Sequence, residues 1–315
     1  MIKYRKFNID FIGNRKIFFG ISLSLIALGI IFNVIFGTVL DIQFTGGAVV
    51  KYSYVGDIDA NELTNVVQNA TTDQISLQIS KDILANDEGV VSNNISVEFP
   101  GNQAISIDQQ KTLDDTLSQT FPDNNFQKIE SSSVDPTNGS KFFLKCMVAV
   151  ALAAILMVVY IAFRFRKIGG WSAGCMAVVA LLHDVAIIYF TFIVFRMPLD
   201  DNFIAVVLMI LGYSLNDTII IYDRVRENRK IMNPKTPIRE IVNKSINQTL
   251  TRTINTSLTT AAAIGTVLVV ALVFNLPSVV SFALPMLVGV ISGCYSTICI
   301  AGPLWVMWKE HKSKK

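Results

Sequence analysis

Six long apolar runs, separated by one polar segment of about a hundred residues, predict a polytopic α-helical membrane protein with a small α+β domain on one side of the bilayer. Three observations carry this expectation. Hydrophobic residues make up 51% of the chain and charged residues 16%, against roughly 25% charged in an ordinary soluble domain. The apolar runs are each near the ~20 residues that a helix needs to cross the hydrocarbon core. The charges are also sorted by position, acidic in the long polar segment and basic in the other polar ends.

The first run, Ile17 to Phe36, is longer than the apolar region of a signal peptide. Gly37-Thr-Val-Leu-Asp41 offers no small-residue cleavage site, so the run reads as an uncleaved anchor over 17–37. The polar segment 38–140 follows. Val49 to Val55 (VVKYSYV) is rich in β-branched and aromatic residues and predicts a strand. Asp59 to Ala70 predicts a helix, with Asp59 as candidate N-cap and Glu62 three residues on. Ile75 to Ser80 and Ile95 to Phe99 alternate apolar and polar residues, as half-buried strands do. Asp108 to Phe121 predicts a second helix, with Leu113, Leu117 and Phe121 on one stripe, and Phe126 to Val134 a last strand. The order βαββαβ is the split βαβ, or ferredoxin-like, pattern. Asn138 and Gly139 are then expected to turn the chain back towards the membrane.

Further spans are expected over 141–163, 171–195, 201–222, 253–275 and 278–308. The last is longer than a bilayer requires, and Pro285 and Pro303 are candidate kinks. Between the fourth and fifth spans, 223–252 is basic and interrupted by Pro234 and Pro237. Ile238, Ile241, Val242, Ser245 and Ile246 then recur at helical spacing, which predicts an amphipathic helix lying at the interface.

The net charge of +3 conceals a strong asymmetry. The segment 38–140 has only Lys51, Lys81, Lys111 and Lys128 as cations. Basic clusters occupy every other polar end: Lys3, Arg5, Lys6, Arg15 and Lys16; Arg164, Arg166 and Lys167; Arg224 to Lys244; Lys309 to Lys315. The positive-inside rule therefore places 1–16, 223–252 and the tail 309–315 in the cytoplasm and the acidic domain outside. All four cysteines (Cys146, Cys175, Cys294, Cys299) fall in spans and read as small apolar packers, without a disulfide framework or a CxxC metal pattern. No phosphate-binding glycine motif is present, so the sequence signals no nucleotide chemistry.

Three regions carry candidate chemistry. The fourth span contains Asn216-Asp217-Thr218 inside an apolar helix. An ionisable group there costs about 2.5–3.5 kcal/mol on insertion scales, so it is expected to face a partner or a water-filled path. The third span contains Asp184 after His183, near mid-membrane by residue count. Asp184 reads equally as an ion site or as a packing carboxylate bonded to a neighbouring hydroxyl, and His183 as a packing residue. The fifth span opens with a polar stretch, Gln248 to Thr260, in which Arg252, Thr256 and Thr259 share a stripe. Such a stripe either lines a hydrated groove or bonds its own backbone. Arg252 alone would be a snorkelling cation. But Asp217 and Arg252 fall at similar expected depth on consecutive antiparallel spans, which predicts a charge couple suited to switching.

Several separated motifs resemble the SecF family of the resistance–nodulation–division superfamily. They are Phe44-Thr-Gly46-Gly47, Leu181-Leu-His183-Asp184-Val, the run from Gly212 through Asn216-Asp217-Thr218 to Asn228, and Asn247 through Arg252-Thr253 to Thr260. The likeness covers essentially the whole chain. Ala48 and Val134-Asp135-Pro136 depart from the family pattern near the outside hinge. The resemblance implies a non-enzymatic subunit of the bacterial inner membrane that acts in protein export. It implies SecD and the SecYEG channel as partners, SecA indirectly, translocating preproteins as cargo, and no nucleic acid. It implies no bound cofactor, with a proton or sodium ion as the coupling ion. The family's transmembrane aspartate and arginine fall on Asp217 and Arg252; Asn216, Thr218, Asp184 and Thr256 are the further candidates for ion coupling, and the glycine pair Gly46 and Gly47 the candidate hinge. With no SecD half before it, the chain is expected to be a separate subunit. The alternatives are a cation-coupled small-molecule transporter subunit and a passive scaffold.

Overall fold

The computed structural model describes residues 9–56, 58–71, 76–81, 92–100, 106–134, 136–274 and 276–313. The basic residues Lys3, Arg5, Lys6, Lys314 and Lys315 lie outside the described residues, as do Ile75 and Asp135. Six helices are long and apolar enough to cross a membrane. The chain is a multi-pass membrane protein that is mostly helical and carries one small antiparallel sheet.

The membrane helices are α1 (Arg15–Phe36), α5 (Pro136–Arg164), α6 (Gly170–Val194), α7 (Asp201–Ile231), α8 (Ile238–Val273) and a bipartite last helix. That last helix is α9 (Pro277–Ser296), a π-helical turn (Thr297–Ala301) and α10 (Gly302–Ser313). Helices α6, α7 and α9 form the buried middle of the bundle. Helices α1, α5 and α8 leave apolar faces outward, among them Leu23 and Val34, Leu152 and Ile155, and Leu258 and Val269. Small residues let the central helices approach. A Cβ on Gly170 would overlap the Ala162 backbone, and one on Gly174 would sit 3.1 Å from the Val158 carbonyl, so α5 packs directly on α6.

Two long helices differ from expectation. Helix α7 runs on to Ile231, and α8 is unbroken over its 36 residues. The predicted interfacial helix is therefore the first part of α8, joined to the fifth span without a break. Pro234 and Pro237 stand before it, and no further proline follows until Pro277. Its apolar positions Ile241, Val242 and Ile246 face into the bundle core beside Trp305, Val306 and Val225. Asn138 and Gly139 lie in the first turns of α5 rather than in a separate turn. Pro285 sits inside α9, and Pro303 follows the π-helical turn.

The α+β domain has the element order β1 (Gly47–Val55), α3 (Ala60–Ala70), β2 (Ser76–Lys81), β3 (Ser92–Pro100), α4 (Ile107–Thr120) and β4 (Gln127–Val134). The strands form one antiparallel sheet in the order β2-β3-β1-β4. One face of β1 (Ala48, Val50, Tyr52, Tyr54) and of β3 (Ile95, Val97, Phe99) is buried against Leu63 and Val67 of α3 and Leu113 and Leu117 of α4. This is the period-2 and period-3.6 pattern read from the sequence. A capping box closes the start of α4, with Ser106 Oγ accepting from Gln109 N and Gln109 Oε1 from Ser106 N. The first turn of α3 bonds to the Asp59 carbonyl through Leu63 N.

The domain meets the bundle near the start of α7 and of α5. Leu40 bridges Leu199, Asp41 N donates to Leu199 O at 3.0 Å, and Leu199 N donates to Val39 O at 2.9 Å. A short helix α2 (Ile42–Thr45) follows, with Phe44 packed on Phe142 and Phe143 of α5. Gly46 and Gly47 then turn into β1 with φ of +83° and +143°, a conformation that side chains disfavour. At the opposite end of the bundle, Asn243 and Asn247 of α8 hold the backbone of Ile9 and Phe11.

Candidate functional site

Helix α7 presents polar groups on two faces of the bundle interior. On one, Ser214 and Thr218 meet α6 and the last helix, and on the other Asp217 faces α8. The two buried carboxylates of the bundle differ sharply in their surroundings.

Asp184 of α6 is fully buried. Ser292 Oγ donates to its Oδ1 at 2.7 Å, and Ser296 and Ser214 donate to its Oδ2 at 2.7 and 3.0 Å. His183 lies alongside, Nδ1 3.2 Å from Oδ1. The network continues outward through hydroxyls. Thr297 lies 3.5 Å from Ser214 and 3.2 Å from Thr218, Oγ to Oγ. Thr297 opens the π-helical turn, and wide turns of this kind are frequent at working sites.

Asp217 is 1% exposed, yet its Oδ2 has no hydrogen-bond partner among the described residues. Nor has the buried Thr253 Oγ1 of α8. Arg252 acts on Asp217 electrostatically, but no ion pair joins them in this conformation. The register between α7 and α8 gives the reason. Asn228 Nδ2 donates to Ser245 Oγ, Arg224 Nε to Gln248 Oε1, and Tyr213 OH to Ser257 Oγ. Extending that register sets Arg252 beside Ile220 and Asp217 about one helical turn, ~5.4 Å, further along. The Arg252 side chain points instead into a cavity of about 540 Å³ shared with Ile220, Asp223, Glu227 and Lys230.

The remaining sequence candidates separate. Thr218 belongs to the buried network. Asn216 is exposed on the outer side of α7, so it does not share a site with Asp217. Thr256 Oγ1 donates to the Arg252 carbonyl at 2.9 Å, and Thr259 to those of Asn255 and Thr256. That stripe bonds its own backbone, as hydroxyls in membrane helices commonly do. The inward polar stripe of α8 is Thr249, Thr253 and Ser257 instead. Ser292, Ser296 and Thr297 escaped the sequence reading because single hydroxyls in an apolar run carry no signal until their acceptor is placed. Ser214 stood inside the fourth-span motif, and its spacing to Thr218 of one turn was the available clue.

Residues 112–311 match the family model "Protein export membrane protein SecD/SecF, C-terminal". The chain is 34% identical to the protein translocase subunit SecF of Alicyclobacillus acidocaldarius, over 97% of this chain and 94% of that one. The chain belongs to the SecF family. It is also 32% identical to the translocase subunit SecDF of Bacillus subtilis, over 97% of this chain and 39% of that protein. Among solved structures, the crystal structure of SecDF, a translocon-associated membrane protein from Thermus thermophilus, superposes with a TM-score of 0.78 at 28% identity. That match covers 98% of this chain and 40% of the other. An accessory role in protein translocation at a membrane follows from this membership.

Proposed function

We propose that this chain lets a transmembrane proton or sodium gradient assist protein export, with Asp217 as the residue that loads the ion. The observation that carries the reading is a carboxylate buried in a membrane helix with its Oδ2 unpartnered among the described residues, under the electrostatic influence of Arg252 on α8, a helix whose buried Thr253 hydroxyl is likewise unpartnered. A bare buried carboxylate is costly. A proton or a small cation offsets that cost in one state, and Arg252 swung one turn along α8 offsets it in another. The two states then alternate with occupancy. Each charge crossing the full membrane potential releases about 2.3 kcal/mol per 100 mV, enough to bias two states that differ by a few kcal/mol. Asp184, already saturated by hydroxyl donors, serves as the positioning residue that locks α6 to α7 and the last helix and carries the shift through Ser214 and Thr297 to the π-helical turn. The reaction makes no bond, so the chain is not an enzyme and needs no cofactor beyond the coupling ion.

The fused SecDF relatives support SecD as the direct partner, with the SecYEG channel, SecA and the emerging preprotein reached through that complex. We read the α+β domain as ferredoxin-like, supported by its strand order and by both helices lying on one face. The basic clusters support its placement outside the bacterial inner membrane with both termini in the cytoplasm. Gly46 and Gly47 would then form the hinge between domain and bundle. The test is gradient-dependent export from inverted vesicles carrying Asp217→Asn, with proton and sodium gradients imposed separately. The expected result is loss of gradient stimulation at normal abundance. Unchanged export would leave the scaffold reading standing.

A further inference from the structure

A second cavity, of about 560 Å³, opens at the end of the bundle away from the α+β domain, between the α5–α6 connection and α10. Its rim carries Arg166, Lys309 and Lys312 and no carboxylate. None of these three cations makes an ion pair among the described residues. Lys309 Nζ lies 5.9 Å from the Trp305 ring centre, and Arg166 stacks 5.6 Å from that of Phe163. Lys309 reaches the first turn of α6 because residue 169 is glycine: with φ of +96°, a Cβ there would overlap the ammonium. The wall formed by Ala162, Cys175 and Met176 is apolar, and Cys175 is exposed on the outside of the bundle. Trp171 and Trp308, 65% and 51% exposed, flank the opening.

We infer that this cavity binds the headgroup of an anionic phospholipid from the leaflet on the α10 side. Three like charges held together without a counter-ion repel one another, and a phosphate relieves that repulsion. Basic pockets between membrane helices on the cytoplasmic side suit phosphate-bearing lipid headgroups. An apolar wall continuous with the lipid-facing surface suits acyl chains, which a free phosphate lacks. Exposed tryptophans at that level sit where the interface favours them. The inference does not depend on ion coupling at Asp217.

All three tryptophans of the chain, Trp171, Trp305 and Trp308, line or adjoin this cavity, so intrinsic fluorescence reports on it. The experiment reconstitutes the full chain in phosphatidylcholine vesicles with rising fractions of brominated phosphatidylglycerol. Saturable quenching is expected at a low fraction, whereas brominated phosphatidylcholine should quench only in proportion to its amount. Arg166→Gln/Lys309→Gln/Lys312→Gln should lower the preference by about a hundredfold, since each cation near an anionic surface is worth about fivefold. Lys16→Gln/Lys235→Gln/Lys244→Gln removes the same charge elsewhere on that face and should keep the parent's saturation. Lys309→Gln alone, expected to lower the preference by about fivefold, serves if the triple variant misfolds. Equal quenching by both lipids, or equal loss in the control variant, would overturn the inference in favour of diffuse attraction. Protection by millimolar inorganic phosphate would overturn the lipid source. Loss of the saturable quenching in copurified complex with SecD would make the cavity a protein interface.

Discussion

Asp184 and Asp217 sit on neighbouring helices and are both withdrawn from solvent, but the first accepts hydroxyl hydrogen bonds from Ser214, Ser292 and Ser296 on both its oxygens and the second has its buried Oδ2 without a partner among the described residues. Burial alone therefore says little about what a membrane carboxylate does. A buried acceptor with its donors in place is a joint between helices. A buried acceptor without them is a stored cost, of at least ~1–3 kcal/mol and more for a charge. The joint resists change, and the bare group invites a proton, a cation or a moving guanidinium.

Substitution at the two aspartates is the strongest way to break this contrast. Asp217→Asn is expected to abolish gradient-stimulated export while protein abundance and thermal stability hold, because the buried Oδ2 has no hydrogen bond to lose among the described residues. Asp184→Leu is expected to do the reverse first, leaving three buried hydroxyls without their acceptor and lowering stability by about 3 kcal/mol. Export assays and detergent melts on both variants check this. Equal stability losses would erase the distinction.

Arg252 sharpens the same contrast. Arg252→Met is expected to stall gradient-dependent export, and Arg252→Lys to retain a fraction, because lysine keeps the charge but not the planar fork that fits a carboxylate. Export rates across a pH series decide it. Parental rates in Arg252→Met at every pH would return Arg252 to the role of a snorkelling cation. Smaller effects are expected at the joint itself. Ser292→Ala and Ser296→Ala should each cost about 1 kcal/mol in melts, with near-additive loss in the double variant only if the two donors act separately.

The smallest expected effect lies where the α+β domain meets the bundle. Glu98 lies on the sheet face turned away from α3 and α4. Partial burial, with Asp41 and Asp200 nearby, pushes its carboxyl up to about 7, opposed by Lys51. Burial raises Asp200 to about 6, although Phe203 N and Asn202 donate to it. Both groups bind protons more tightly folded than unfolded, so their contribution is full below the ordinary carboxylate range and is lost as pH rises through about 6 to 7. Melts of the parent should therefore weaken over that window, and Glu98→Gln should flatten the slope. An unchanged slope would remove Glu98 from the junction's pH response.

Much of this was legible in the residues. The six spans follow from length and hydropathy because lipid leaves the backbone few other solutions. The βαββαβ order followed from a change of apolar period, and the observed elements differ from the expected ones by a few residues at their ends. The unity of α8 was missed because two prolines in a basic loop look like a domain break, although both stand before the helix starts. Asn216 points away from the buried side of α7 because neighbours in sequence point about 100° apart on a helix, and only the packing says which direction is inward.

By itself the sequence determined the number of candidate spans, the sorting of charge along the chain and the presence of two costly carboxylates in apolar helices, since each depends on composition within one segment. The tertiary structure alone decided that Asp184 is satisfied and Asp217 is not, and that Arg252 stands one turn from its expected partner. Those facts depend on the register between helices far apart in the chain. A shift of one turn, ~5.4 Å, changes every partner while leaving each helix's own pattern intact.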